Sequence, residues 1–490
     1  MEIKRLQNRS DTDNGCNGFN ILKFSVPETT IASFHPMHWV FCVDRSGSME
    51  TIGSKDDKSR MEHVKTTLVR IVEYLKQQCR DTARTHLVDI VWFNGEVSTT
   101  SFIVDAKAHT TPFIGEINSM TASGLTNMSA AIKKATQMIT SPLIRTTKTA
   151  MIVLSDGEIT AGDSEPTYLA QWINKCVEVL GQDFSPVFVG YGTEQSSSLL
   201  IALSKTPNGE YHCVESVEGA GIVYGEIVHS ALYESVKNLI IEVSGGEIYN
   251  YEKNEWVSSL IVGKVSSGSS RVWHLRDVPG ENLVVRSSLH RFEMKNGRDS
   301  WQHLTTECAT QLEPEYGSID KECYNYYLRQ QVLEMLAEAK ECTEDVYNVS
   351  DDIELLALSM LYTPAQTLSS IRQLSSDEEQ DPVQMLRKRI LDKLREIKAY
   401  IAQESDDTGM LGSLCDDLYV CSLALNSNIG LTYILARQTS QGNQRAYSAT
   451  GIDGLDISNL DAQHVMSPSM VSPYASQQVD TVIREVSQTY

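Results

Sequence analysis

The stretch FCVDRSGSME, residues 41–50, decides how the first half of this sequence is interpreted. An apolar run gives way at once to Asp44, Ser46 and Ser48, with Gly47 between the two serines. Such a run is typical of a strand that is buried on both faces of a sheet. Glycine permits a sharp turn directly after it. The pattern therefore predicts a buried strand whose carboxyl end carries one acid and two hydroxyl groups.

On either side of this stretch, residues 36–232 alternate short apolar runs with amphipathic helical patterns. The further strand candidates are the runs LVDIVWF, TAMIVLS and SPVFVGY. Helical stripes lie between them, on residues 64–75 and 128–139. Strands that alternate with helices at this spacing predict a doubly wound, Rossmann-like α/β domain with a mainly parallel sheet. In such sheets, ligands bind beyond the carboxyl ends of the strands.

The period changes from helical to alternating after this domain. Residues 233–316 contain short strand-like segments separated by Gly, Asn and Ser turns, which predict a small antiparallel β sandwich. Leu22, Phe24 and Val26 alternate in the same way. We therefore expect the N-terminal segment, residues 1–35, to add a strand to this sandwich.

The remainder of the chain divides into a helical and a polar part. Residues 317–430 return to a helical period, and Asp381 followed by Pro382 is a typical helix start. Residues 431–490 are rich in Ser, Gln and Asn, with little apolar periodicity. We expect this C-terminal tail to be mostly disordered or loosely docked.

Charge and composition limit the class of protein. The chain has 490 residues and a formal net charge of −22, so its surface repels phosphate backbones and nucleic acid is not expected as a partner. The first residues lack the apolar region of a signal peptide, and no uncharged run approaches the roughly 20 residues of a membrane span. The ten cysteines are scattered without paired spacing, as in proteins with reduced thiols. We expect a soluble cytoplasmic protein, with the nucleus as the alternative location.

Two further loops are expected at the same edge of the sheet as the first acid. The segment SGLTN precedes a helical pattern and offers Thr126, and LSDGE follows a strand and offers Asp156. Together with Asp44, Ser46 and Ser48 they supply only oxygen ligands. A hard cation such as Mg²⁺ takes six oxygens at about 2.1 Å. The three loops therefore predict a divalent metal site.

In this order on an α/β framework, the three loops resemble the von Willebrand factor type A (VWA) domain family and its metal-ion-dependent adhesion site. The resemblance covers roughly residues 36–230 and extends to the strand ending VWFN and to the segment VGYGTEQSSSLLIALSKTPNGEYHCV. It implies that the metal is Mg²⁺, with Mn²⁺ or Ca²⁺ as alternatives. It implies a ligand set of three loops, with the last acid acting through water: Asp44, Ser46 and Ser48, then Thr126, then Asp156.

The sequence departs from the family pattern at two places. Leu125 stands where many relatives have a second glycine, which stiffens the loop and removes no ligand. A polar insertion, TIGSKDDKSR at residues 51–60, lengthens the segment before the first helix. We expect it to shade the metal, and Asp56 and Asp57 to compete for it.

The order of the domains carries a weaker resemblance. A VWA domain followed by a β sandwich and helices is similar to the intracellular branch of VWA proteins, and to inter-alpha-trypsin-inhibitor heavy chains. Some plant relatives add a zinc-binding RING and act as ubiquitin ligases. Cys415 and Cys421 are too few and wrongly spaced for such a zinc site, so no ligase activity is expected.

These observations favour a binding and scaffolding protein over an enzyme. A cation held by one direct carboxylate and neutral hydroxyls stays under-neutralised, so an Asp or Glu of a partner protein can complete its shell. The alternatives are a metal-dependent hydrolase and a structural VWA module that acts through its helices and tail. A hydrolase needs a general base, and His63 and His86 lie on or just after the first helix, outside the motif loops. The oligomeric state stays open.

Overall fold

The computed structural model describes the following residues: 1–5, 18–28, 37–52, 58–82, 85–141, 148–156, 159–191, 197–214, 220–295, 298–309, 321–359, 381–404, 409–425, 427, 430–447 and 472–487. Their strands are β1 Glu2–Arg5, β2 Phe19–Ser25, β3 Met37–Asp44, β4 His86–Phe93, β5 Val97–Val104, β6 Lys148–Ser155, β7 Phe184–Tyr191, β8 Glu210–Val214, β9 Glu234–Ser244, β10 Gly246–Asn250, β11 Glu255–Val257, β12 Ser259–Ser266, β13 Ser270–Asp277, β14 Val284–Lys295 and β15 Arg298–Ala309.

The α-helices, numbered in chain order, are α1 Arg60–Thr82, α2 Thr111–Ser119, α3 Met128–Ile139, α4 Pro166–Leu180, α5 Ser197–Ser204, α6 Ala220–Leu232, α7 Lys321–Ser359, α8 Pro382–Glu404, α9 Met410–Ala424, α10 Gly430–Gly442 and α11 Gln477–Ser487. A short 3₁₀ helix occupies Gly47–Glu50.

A mainly parallel sheet forms the centre of the α/β unit, with the strand order β5-β4-β3-β6-β7-β8. Strand β3 pairs in parallel with both β4 and β6, and only the edge strand β5 runs antiparallel among the described strands of this sheet. The chain moves outward from β3 in one direction and then returns to its other side. The carboxyl ends of β3 and β6 therefore meet at the switch point of a doubly wound sheet, as the sequence predicts.

The central strand β3 is buried on both faces. Trp39, Phe41 and Val43 pack into one core, and Val40 and Cys42 pack into the other. Helices α1, α2 and α6 cover the first face, and α3, α4 and α5 cover the second. This two-sided burial explains why the strand is an uninterrupted apolar run in the sequence.

Two antiparallel sheets follow the α/β unit, with strand orders β1-β2-β13-β10-β11 and β12-β9-β14-β15. The N-terminal segment contributes β1 and β2, and β2 pairs with β13 along its length. Leu22, Phe24 and Val26 are buried in the core between the sheets. Their alternation in the sequence reflects this buried face.

Helices α7 to α10 pack together around one further core. The backbone N–H of Val383 donates to Asp381 Oδ1 at 3.0 Å, so Asp381 caps the start of α8 beside Pro382. The stripe of Leu386, Ile390 and Leu394 faces that core.

The C-terminal tail differs from the sequence-based expectation in its described parts. Helices α10 and α11 are packed, and Arg437 on α10 is fully buried. Helix α11 buries the apolar stripe Val479, Val482, Ile483 and Val486, whereas several buried side chains on and just after α10 are polar and hydrogen-bonded. For example, the Gln441 amide donates to Asp417, and both amide atoms of Gln444 bind the backbone of Val272. Residues 448–471 and 488–490 lie outside the described part of the tail.

Among the helices of the described ranges, none has both the length and the apolar character that a bilayer crossing requires.

Candidate metal centre

Asp44 is the last residue of β3 and points its carboxylate into a set of neutral donors. The backbone N–H of Arg45 donates to Phe93 O at 2.8 Å, which continues the strand pairing one residue past Asp44. The backbone N–H of Ser46 donates to Asp44 Oδ1 at 2.8 Å. The Ser155 hydroxyl, at the end of β6, donates to Oδ2 at 2.7 Å. The carboxylate is therefore fixed between the ends of two neighbouring strands.

The environment of Asp44 disfavours its charge. Burial raises the pKa of this carboxyl to about 6, the hydrogen bonds from Ser155 and Ser46 lower it, and the negative charge of Asp156 raises it again. A buried carboxylate without a matched counter-ion is costly. Asp44 is thus a group that a bound cation would stabilise.

A chain of hydrogen bonds joins the first loop, which follows β3, to the third loop, which follows β6. Ser46 Oγ and Ser48 Oγ lie 3.0 Å apart, and Ser48 Oγ donates to Asp156 Oδ1 at 2.8 Å. The second oxygen of Asp156 accepts a hydrogen bond from Arg60 Nη1 at 2.7 Å. Because Ser46 also donates its backbone N–H to Asp44, the two carboxylates and two serines form one connected set.

The second loop is fixed against the first by backbone contacts. Gly47 N donates to Gly124 O at 3.1 Å, and Ser123 N donates to Arg45 O at 2.7 Å. The Asn94 amide donates to Ser123 O at 2.7 Å. Gly124 has a φ of +83°, a backbone conformation that favours glycine. These contacts place the two loops side by side at the carboxyl edge of the sheet.

Thr126, on the second loop, is buried against the segment that follows the third-loop acid. Its backbone N–H donates to Thr160 Oγ1 at 2.8 Å, and its carbonyl accepts from Thr160 N and Ala161 N, both at 3.1 Å. The next residue, Asn127, caps α3 by accepting from Ala130 N at 3.1 Å. Thr126 is thus held between its contacts with Thr160 and Ala161 and the start of α3.

The donor set has the chemistry of a site for a hard divalent cation. The structure places all five sequence-predicted residues on interlocked loops at one edge of the sheet: Asp44, Ser46, Ser48, Thr126 and Asp156. They offer two carboxylates and three hydroxyls, all oxygen ligands of the kind that Mg²⁺ prefers. Within the described ranges, no group of three or more His, Cys, Asp or Glu side chains forms an alternative metal cluster. The residues present fit the metal that the resemblance implies.

Two residues of this edge were missed by the sequence reasoning. Ser155 directly precedes the third-loop acid, and its place at the end of a buried strand next to β3 could have indicated its contact with Asp44. Arg60 closes the polar insertion, and its spacing carries no signal of the contact with Asp156. The predicted competitors in that insertion, Asp56 and Asp57, lie outside the described residues.

The two histidines considered as general bases lie in different places. His86 begins β4, and its Nδ1 accepts a hydrogen bond from Met37 N at 3.2 Å, at the edge of the sheet opposite the loops. His63 is buried in the first turn of α1. His86 is therefore remote from Asp44, since it contacts Met37, and Met37 and Asp44 are the two ends of β3.

Comparison with known proteins identifies the α/β unit. The family model described as the von Willebrand factor type A domain matches residues 40–222. Comparison with curated proteins finds no match.

The fold is also similar to that of solved structures, each at low identity. One is a von Willebrand factor type A protein from Catenulispora acidiphila, with 12% identity, a TM-score of 0.43, and coverage of 67% of this chain and 82% of that one. Another is the ArnB paralog VWA2 from Sulfolobus acidocaldarius, with 11% identity, a TM-score of 0.44, and coverage of 87% and 100%. A third is proximal thread matrix protein 1 from the mussel byssus with a zinc-occupied MIDAS motif, with 16% identity, a TM-score of 0.32, and coverage of 42% and 47%.

The family match begins within β3 and covers β4 to β8, helices α1 to α5 and all three loops. This chain therefore contains a von Willebrand factor type A domain at residues 40–222.

Proposed function

We propose that this chain is a metal-dependent protein-binding or scaffold protein. A divalent cation, Mg²⁺ or alternatively Mn²⁺ or Ca²⁺, would bind at the five-residue site described above. When bound, the cation would supply an open coordination position for an Asp or Glu of a partner protein.

The observation that carries this proposal is the connected set of two buried carboxylates and the serine hydroxyls between them. Asp44 and Asp156 are linked through two serines, and the burial of Asp44 makes its carboxylate a stable ligand only when a positive charge is near. These hydrogen bonds hold the proposed ligand oxygens of Asp44 and Asp156 close to the two serine hydroxyls.

The surroundings of the site support a protein partner. Leu125, beside Thr126, is 54% exposed, and Ile52, in the first-loop insertion, is 61% exposed. Large apolar side chains at such exposed positions contribute contact area in protein interfaces. An acidic residue flanked by apolar neighbours is the partner segment that this combination fits.

We propose that the protein is not an enzyme and that it acts in the cytoplasm. The remote position of His86 and the neutral donors around Asp44 support the first proposal, since a metal hydrolase also needs a placed general base. The second rests on the free thiols of the described cysteines, which fit a reducing compartment.

The test is capture of the partner by the purified protein in Mg²⁺, repeated in EDTA and again after Mg²⁺ is restored. Capture that is lost in EDTA, recovers with Mg²⁺ and is absent for Asp44→Asn supports the proposal. Surface Asp and Glu residues of the captured partner are then replaced one at a time by Asn or Gln. One of these substitutions should abolish binding. Binding that survives both EDTA and Asp44→Asn would instead favour a structural VWA module.

A further inference from the structure

Arg60 occupies a defined position at the base of the polar insertion. It is the first residue of α1, and its backbone N–H donates to Thr51 O at 3.0 Å. One residue inward, Ile52 and Ser59 form an antiparallel bridge. The chain therefore leaves the first loop at residue 51 and returns to the same point at Arg60, which brings a long cationic side chain to the edge of the metal site.

The guanidinium of Arg60 makes direct contact with a proposed metal ligand. Its Nη1 lies 2.7 Å from Asp156 Oδ2, where the Asp156 side chain is 0% exposed and the Arg60 side chain is 12% exposed. A buried carboxylate requires a positive or hydrogen-bonding partner. Arg60 thus supplies to Asp156 a positive charge of the kind that a bound cation would also bring.

This contact changes the electrostatics that an incoming cation meets. The site has two carboxylates, and Arg60 already neutralises one of them, whereas the contacts that fix Asp44 come from the neutral donors Ser46 and Ser155. The other arginine on these loops, Arg45, directs Nη2 toward Asn94 Oδ1 at 3.4 Å. Of these two arginines, Arg60 is therefore the one that contacts a proposed ligand carboxylate.

We propose that Arg60 is a built-in competitor of the metal that holds Asp156 in the metal-free state and lowers the affinity of the site for divalent cations. A cation that binds must share Asp156 with the guanidinium or displace it, and in either case it meets a like charge. The metal affinity of this domain is then set by a residue outside the ligand loops. This inference rests on the proposed function of the site.

The test is calorimetric titration of Mg²⁺ into the metal-free full-length chain and its variants. Arg60→Gln removes the charge and keeps an amide donor for Asp156, and Arg60→Lys keeps the charge. Arg389→Met is the matched control, because it removes one arginine from an exposed ion pair with Glu338 on the helical region. Thermal melting in EDTA, and again in Mg²⁺, is measured for each protein.

Arg60→Gln should bind Mg²⁺ at least about tenfold more tightly than the wild type, which corresponds to about 1.4 kcal/mol, and should melt at a lower temperature in EDTA. Arg60→Lys and Arg389→Met should stay within about threefold of the wild-type affinity, since a tenfold change requires the loss of a charge at the site itself. A purely structural role for Arg60 would lower the melting temperature without raising the affinity.

Each outcome separates this inference from the proposed function. If Arg60→Gln binds Mg²⁺ as tightly as the wild type or more weakly, Arg60 is not a competitor of the metal. Mg²⁺ binding by the wild type would still support the proposed metal site. Binding by Arg60→Gln alone supports the competitor role. Binding by neither protein overturns both the competitor role and the metal-dependent function.

Discussion

At the scale of single residues, Asp44 is the group on which the site depends. Its pKa of about 6 results mainly from burial, against which Ser155 and Ser46 act as hydrogen-bond donors. An acid whose pKa is raised on folding favours the folded state fully below its unfolded value of 3.8, and that contribution is lost as the pH rises through about 6. At pH 7 without metal, the ionised Asp44 therefore opposes folding.

We predict that Asp44→Asn abolishes metal binding and does not destabilise the metal-free protein. The raised pKa corresponds to about 3 kcal/mol at most, at about 1.4 kcal/mol per pKa unit, so the metal-free variant should gain up to that amount at pH 7. Asparagine can still accept from Ser46 N. Urea unfolding in EDTA measures the effect.

The matched control for this prediction is Asp392→Asn, which makes the same chemical change on α8 at an exposed pair with Arg395. It should change the free energy of unfolding by less than about 0.5 kcal/mol. If metal-free Asp44→Asn instead lost several kcal/mol of its free energy of unfolding, burial of the charge would not be what destabilises Asp44.

The placement of the five proposed ligand residues at one edge could be predicted because each lies at the end of a buried strand or just before a helix, and parallel strands end at one edge. The contact of Arg60 with Asp156 could not be predicted in this way. A long side chain can reach many positions from the start of a helix, and the sequence does not indicate which one it takes.

At the scale of elements, the last helix, α11, packs closely against the last helix of the VWA domain, α6. A β-carbon added to Gly221 would lie 2.7 Å from the Cα of Ser487, and one added to Gly225 would lie 2.6 Å from the Cα of Ile483. The two glycines, four residues apart on one helix face, allow the backbones to approach. Val482 and Val486 of α11 complete one core of the α/β unit.

We predict that Gly225→Val destabilises the protein by about 1–3 kcal/mol, because the added atoms would meet backbone that cannot move aside cheaply. Limited trypsin digestion should then cleave faster at Arg484 on α11. Gly115→Ala on α2 is the control, since a β-carbon there meets nothing within 4 Å and alanine favours the helix. Unchanged stability and digestion for Gly225→Val would contradict the close packing of α6 and α11.

Strands β3, β4, β6 and β7, the alternating segments of the sandwich, and helices α1 and α3 could be predicted from apolar periodicity, and the start of α8 from Asp381 and Pro382. The tail helices were not predicted. The buried residues of α10 include the polar side chains Arg437, Gln438 and Gln441, which a search for apolar stripes does not detect. Helix α11 does carry an apolar stripe, with Val479, Val482, Ile483 and Val486 all buried, and this periodicity could have located it in the sequence.

At the scale of the whole molecule, the segment after α10 joins the VWA domain to the β sandwich. Arg445 contacts Glu210 at 2.9 Å and lies 3.9 Å from Glu226, both in the α/β unit. The side-chain amide of Gln444 accepts from Val272 N and donates to Val272 O, each at 2.9 Å. Polar contacts therefore join the C-terminal segment to both the sandwich and the VWA domain, and those of Gln444 with the sandwich are buried.

Buried neutral histidines at these junctions give the molecule a dependence on pH. Burial lowers the pKa of His229 to about 4, although Gln478 of α11 hydrogen-bonds to its ring. Burial and Arg445 lower the pKa of His212 to about 4, although Glu210 raises it. A histidine with a lowered pKa contributes stability fully above its unfolded value of 6.5, and this is lost as the pH falls toward 4.

We predict that the stability advantage of the wild type over His229→Gln shrinks as the pH falls from 6.5 to 4, by up to about 1.4 kcal/mol per pH unit. Urea unfolding of both proteins at matched pH values measures this difference, and the opposite contribution of Asp44 cancels because both chains carry it. A difference that stays constant across this range would show that His229 does not titrate as its burial requires.

The proposed metal site can be tested by titration with Mn²⁺ followed by electron paramagnetic resonance. Free Mn²⁺ gives a signal that is lost on binding, so the number of ions bound per chain can be counted for the wild type and for Asp44→Asn. We predict one bound ion per wild-type chain, released by excess Mg²⁺, and none for the variant. No bound ion in the wild type, or equal binding by Asp44→Asn, would contradict the account.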